Sequence, residues 1–446
     1  MKKILKYILI FIATVLILFS ALVGTSKIPH SAIEENIKES VEFYKRRAGI
    51  YRVKNKKLYS YIHYYADTRL LNIIYHIDSE DAVKSTLWAN YYETIPMDIN
   101  NDFIDAVEES KEANTQYLRY WHGSMLILRP LFIVFNIEQI YLINEIALSI
   151  LALVLLIMLF KKSKKVAIVF LLALILVSSW YVAYCIEYST TFYVMLIASM
   201  IAIKIDSKNK DLADKANSKL FNLFLITGII TCFVDFLTTE MLTLFVPLIL
   251  VLAIRKEEKR EDTLKNTFKF VIKSCILWFV GYAGMWLAKW TLSSLILNIN
   301  ALDYVKDNAM LRINGLQGLS NHKELYGNVI GKNIDTIPLM NIINIKIYMW
   351  EVKAMIAIVL IAVLMFIDWK NLKKKKFSLI MIFIGIMPYL RYLILANHSY
   401  RHAMFTFRDQ IITIMAILLI LLDCFNYELL FKKISLHKPK NKEEKT

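Results

Sequence analysis

The sequence predicts an all-α polytopic membrane protein, with about ten transmembrane helices and a large exported loop after the first. Three observations carry this. The chain is 57% hydrophobic over 446 residues, against about 45–50% apolar in soluble domains. Its apolar residues gather in stretches near the ~20 residues that a helix needs to cross a bilayer. Its lysines and arginines gather in short links between those stretches, the placement that sets topology.

In chain order the expected spans are Ile4–Val23, Ile140–Phe160, Val166–Tyr184, Thr191–Ile205 and Leu220–Val234, then Thr238–Ile254, Phe268–Leu292, Trp350–Trp369, Phe377–Leu395 and Gln410–Phe425. The first follows Met1-Lys-Lys. It is long for a signal peptide and has no clear small-x-small cleavage site after it, so an uncleaved helix is expected. Met125–Phe135 is apolar but too short to span, and it carries Arg129-Pro130. It reads as a re-entrant or interfacial helix.

With ten spans, the basic links at Lys2, Lys161–Lys165, Lys204–Lys219, Arg255–Lys265, Lys370–Lys376 and the tail Lys432–Lys445 all fall on one side. The positive-inside rule then makes both termini cytoplasmic. It exports Thr25–Gly123, the turns near Glu187 and Asp235, the loop Ser293–Met349 and the loop Ala396–Asp409. The organisation is therefore 1–24, first helix; 25–139, exported loop with interfacial helices; 140–292, helices two to seven; 293–349, second exported loop; 350–427, helices eight to ten; and 428–446, a basic cytoplasmic tail. Within the first loop, Asp102–Tyr120 has helical periodicity, with Phe103, Val107 and Tyr117 on one face. Asn314–Asn321, rich in glycine and asparagine, suggests a flexible turn.

A formal net charge of +16 could suggest nucleic acid. Its placement in short links between apolar spans speaks against that partner. Four cysteines lie scattered in apolar spans with no Cys-x-x-Cys pair, so neither a disulfide framework nor a zinc site is indicated. No phosphate loop, His-Glu-x-x-His, nucleophile elbow or Asp-x-Asp occurs. The cofactor stays unknown: a divalent metal has no motif here.

Ionisable groups near the membrane carry the functional reading. Asp67 lies among Tyr61, Tyr64, Tyr65, Leu70 and Leu71. Such a carboxylate can act as a general base; it can equally pair with Arg69 or cap a helix. Arg119, His122 and Arg129 gather at the boundary between loop and membrane. Glu187, Asp235 and Glu240 lie at outward ends of spans, where an ordinary polar turn within an aromatic belt also accounts for them. The last exported loop holds His398, Arg401, His402 and Arg408, with Arg391 just before it at the end of the preceding span. Arginines bind phosphate oxygens through a two-pronged fork, so this cluster suits a lipid phosphate. Pairing with acids such as Asp235 is the alternative.

The large loop around Asp67, with Tyr117–Pro130 and Asn397–Arg408, resembles the GT-C superfamily of integral-membrane glycosyltransferases and is similar to bacterial membrane proteins of that layout. The resemblance implies a GT-C-like fold in a bacterial plasma membrane. It implies an inverting transfer of sugar from a polyprenyl-phosphate donor to a cell-envelope saccharide, lipid or protein acceptor. It also implies Asp67 as base, with Arg119, His122, Arg129, Asp235, Arg391, His398, Arg401, His402 and Arg408 holding substrate. Members of the family often place the acid sooner after the first helix, which keeps Glu34 and Glu35 open as bases. A transporter or flippase of lipid-linked saccharides, with polar residues at the midplane, is one alternative; a non-catalytic subunit of an envelope assembly complex is another.

Overall fold

The first helix, α1 (Lys2–Ser26), turns a stripe of apolar residues outward, including Ile4, Leu5, Ile8, Leu9, Ile12 and Leu16. A run of large exposed apolar side chains on one helix face marks contact with an apolar medium. In this computed structural model it is one of seven helices, among the described residues, long and apolar enough to cross a membrane. The structure describes residues 2–47, 50–55, 58–95, 97–210, 212–316, 319–337 and 375–425.

After α1 comes a polar segment of short elements. It contains α2 (Glu34–Lys45), a hairpin of β1 (Ile50–Asn55) and β2 (Leu58–His63), α3 (Tyr65–Tyr75), α4 (Ala82–Trp88), β3 (Asn90–Tyr91), α5 (Ile99–Glu108), β4 (Thr115–Gln116) and α6 (Met125–Leu131). The hairpin pairs Ile50 with His63, and β3 pairs antiparallel with β4. The helical periodicity expected to reach Tyr120 stops at Glu108. Ser110 takes a left-handed φ of 50°, and Tyr117 follows β4 outside any helix. In α6, Met125, Leu128 and Arg129 face inward while Ile127 is 65% exposed, a one-sided pattern that suits a helix lying along an interface.

The remaining helices are α7 (Ile137–Lys162), α8 (Lys164–Leu176), α9 (Ile186–Lys208), α10 (Ala213–Val234), α11 (Leu242–Glu257), α12 (Leu264–Leu297), α13 (Ala301–Asn314), α14 (His322–Asp335), α15 (Lys376–Ile394), α16 (Ala396–Arg401), α17 (Ala403–Thr406) and α18 (Gln410–Cys424). α7 starts on a capping box in which Asn136 and Gln139 satisfy each other's backbone N–H groups. Two expected spans are shorter helices. Val166–Tyr184 breaks after the 13 residues of α8, where Ser178 adopts φ 51° and a 3-10 segment Ser179–Tyr184 follows. Thr238–Ile254 becomes α11, 16 residues long. Every residue of α11 from Leu242 to Ile254 is buried, which explains why its sequence is apolar all round. The expected span Trp350–Trp369 and the basic tail lie outside the described residues.

α10 and α12 approach closely because each offers a glycine. A Cβ on Gly228 would collide with the Trp278 carbonyl, and one on Gly281 with the Leu225 carbonyl. The polar segment is fastened to one end of this bundle. The Gly123 N–H donates to the Phe233 carbonyl at 2.9 Å, and a Cβ on Gly123 would overlap that same carbonyl. Trp121 Nε1 donates to the Met285 carbonyl at 2.8 Å, and Lys289 Nζ to the Leu87 carbonyl at 2.8 Å. At the opposite end the basic links meet acids: Asp206 takes Arg255 and Arg260, each at 2.7 Å.

Candidate functional site

Between the polar segment and the bundle end lies a cavity of about 520 Å³, within the ~300–1,000 Å³ of small-molecule sites. α3 supplies Tyr65, Ala66 and Arg69; the chain from β3 to Tyr120 supplies Tyr91, Glu93, Tyr117, Arg119 and Tyr120. The first turn of α9 supplies Glu187 and Tyr188, and the α10–α11 turn supplies Phe236 and Thr238. Arg312 of α13 and His398, Arg401, His402 and Phe405 close the other side.

Four arginines face two glutamates here, and they are not equivalent. Arg69 is committed: it bonds Glu93 at 3.0 Å and lies 3.8 Å over the Tyr91 ring. Glu93 also accepts from Tyr91 Oη at 3.1 Å. Arg119 stacks 4.4 Å over Tyr117 and donates to Asn308. Arg312 Nη1 sits 3.3 Å from His398 Nδ1 and 3.2 Å from His402 Nε2. Neither Arg119 nor Arg312 meets a carboxylate among the described residues.

His398 reads as neutral. His398 Nε2 lies 2.7 Å from the Leu237 carbonyl, so that nitrogen carries the proton and Nδ1 keeps a lone pair for Arg312. Burial, then His402 and the nearby arginines, hold His398 well below the usual histidine range. The Leu237 carbonyl also accepts from Arg391 Nη2 at 2.7 Å. These two donors hold Leu237 at φ 63°, a left-handed conformation costly for a residue with a Cβ.

Of the expected substrate residues, Arg119, His398, Arg401 and His402 line the cavity. The others do structural work behind it. Arg391 bonds Glu240 at 2.9 Å and lies 3.7 Å from Asp409. Asp235 folds back onto the Thr238 backbone and hydroxyl. Arg408 donates to the Met404 carbonyl at 3.4 Å. Arg129, fully buried, donates to the carbonyls of Ile28 and Ile74, each at 2.6 Å, and so ties the exit of α1 to the end of α3. Burial pushes its guanidinium down to about 10. His122 lies against Phe236 with its Nε2 3.0 Å from the Tyr117 carbonyl.

Asp67 is also outside the cavity lining. Its Oδ2 accepts from Tyr141 Oη at 2.7 Å and the Ile186 N–H at 2.8 Å. Its Oδ1 accepts from the Glu187 N–H at 3.0 Å. These are the first N–H groups of α9, which its own cap residue Cys185 leaves unsatisfied. Asp67 thus caps α9 from α3. It neither caps its own helix nor pairs with Arg69, which Glu93 has taken. Burial outweighs these donors and raises its carboxyl to about 6. Glu34 pairs with Lys38 at 2.6 Å on α2, and Glu35 is exposed there; neither lines the cavity.

Sequence reasoning missed Arg312, although it is the single arginine of residues 293–349. It also discounted Glu187, which sits in the first turn of α9 and not in a loop. Among the described residues no cluster of metal-ligating side chains occurs. The sequence matches no protein-family model, and comparison with curated proteins and with solved structures returns no significant match.

Proposed function

We propose that this chain is a membrane-bound glycosyltransferase that takes a sugar from a polyprenyl-phosphate donor and passes it to a cell-envelope acceptor at the outer face. The observation that carries the reading is the cavity beside the span ends, where Arg119 and Arg312 present cationic groups without carboxylate partners among the described residues. Both guanidinium groups are half-buried, and an anionic ligand in the cavity would supply the counter-charge they lack among the described residues. Tyr65, Tyr91, Tyr117 and Tyr120 add aromatic faces and hydroxyls to the same wall, a lining that suits a sugar ring. In this reading the arginines also stabilise the phosphate as it leaves, when its charge grows.

The test uses the full chain in lipid nanodiscs, with polyprenyl monophosphate and the matching polyprenol as probes. Saturable binding of the phosphate at least ten-fold tighter than the alcohol is expected, since the head group is what the arginines would hold. Equal binding of both lipids would refute the reading. Transfer of radiolabelled sugar from a polyprenyl-phosphate donor to envelope glycan separates an enzyme from a carrier of the same lipid.

A further inference from the structure

The cavity holds two carboxylates, and only one has an oxygen to spare. Glu93 spends Oε1 on Arg69 and Oε2 on Tyr91. Glu187 accepts from Ser124 Oγ through Oε1 at 2.6 Å, while its Oε2 has no hydrogen-bond partner among the described residues. The side chain is fully buried, yet it belongs to the cavity wall. A buried carboxylate oxygen left without a donor costs stability. A ligand hydroxyl in the cavity would supply that donor.

Its position is held from two sides. Ser124 sits next to Gly123, whose N–H is anchored on the Phe233 carbonyl. Asp67 grips the Glu187 backbone N–H and the one before it, fixing the first turn of α9. One acid therefore orients the backbone from behind while the other belongs to the cavity wall.

Resting on the transferase reading above, we propose that Glu187 is the general base that accepts the acceptor's proton, and that Asp67 is a positioning residue for it. In the step, the acceptor hydroxyl oxygen bonds to the anomeric carbon as the bond from that carbon to the phosphate oxygen breaks. The phosphate leaves with the bonding pair toward Arg119 and Arg312. The hydroxyl proton passes to Glu187 Oε2, so no oxidant or further reactant is needed.

The experiment uses the full chain in nanodiscs, with an apolar carbodiimide that modifies carboxyl groups in apolar pockets and mass spectrometry to locate the adduct. Glu187 is expected to be modified in the wild type and protected by saturating polyprenyl monophosphate. Glu187→Gln should abolish that adduct, keep lipid affinity within a few-fold, and slow transfer by about 10²–10⁴-fold, the usual loss of a positioned base. Asp67→Asn should keep the Glu187 adduct and its protection. An adduct on Asp67 in place of Glu187, no protection by bound lipid, or undiminished transfer by Glu187→Gln would each overturn the assignment alone. A wild type that binds no polyprenyl phosphate would sink the transferase reading and the base with it.

Discussion

Arg312 and Arg391 are both arginines near the cavity, and the structure gives them opposite fates on truncation. Arg391 is 6% exposed and faces Glu240 at 2.9 Å and Asp409 at 3.7 Å. Arg391→Ala leaves those acids buried without their cation, which costs about 3–5 kcal/mol. Among the described residues Arg312 bonds imidazole nitrogens of His398 and His402 and meets no carboxylate. Arg312→Ala strands no carboxylate among the described residues, so its fold cost is about 1 kcal/mol or less, the net worth of an ordinary hydrogen bond. Its loss should instead appear in binding. One charge-assisted contact to a phosphate is worth about 1.5–3 kcal/mol, or about 10–150-fold in affinity. The assay is thermal unfolding in detergent alongside polyprenyl monophosphate titration of both variants. Arg391→Ala should melt far below the wild type, and Arg312→Ala should melt near it but bind the lipid weakly. An Arg312→Ala variant as unstable as Arg391→Ala, or one with wild-type affinity, would refute the distinction.

Two further outcomes follow from local geometry. Asp67 is raised from 3.8 to about 6. A raised acid contributes stability that is fully present below about pH 4 and lost as pH rises through about 6, here about 3 kcal/mol. Unfolding midpoints from pH 4 to 7.5 should show that decline in the wild type and lack it in Asp67→Asn; parallel curves would contradict the burial argument. Gly228→Ala should cost about 1–3 kcal/mol by overpacking, because its Cβ meets the Trp278 backbone, whereas Gly24→Ala meets nothing within 4 Å and should leave the melting point unchanged.

The helices were legible because their apolar content is a property of local sequence. Burial was less legible than apolarity: α11 reads as a span from its sequence, and it is a helix of 16 residues buried throughout from Leu242 to Ile254. The break at Ser178 carries no proline or glycine, so nothing local announced it. The cationic loop was correctly seen as dense, but density does not reveal pairing. Arg391 and Arg401 look alike in sequence; one is buried against Glu240, the other lines the cavity. Asp67 stood out by its aromatic surroundings, and those surroundings include Tyr141 and the start of α9, more than 70 residues away in the chain. A cap supplied from another helix leaves no mark near either partner. Glu187 was hidden for the same reason, since its spare oxygen is visible only after Ser124 has taken the other.

The central claim is that the cavity between α3, α9, α13 and the α16–α17 region is the seat of a lipid phosphate. The most direct measurement is an electron cryo-microscopy structure of the full chain in nanodiscs with saturating polyprenyl monophosphate. A phosphate is expected within hydrogen-bond reach of Arg312 and Arg119, with Glu187 in the wall beside it. Lipid density elsewhere on the bundle with this cavity empty would contradict it.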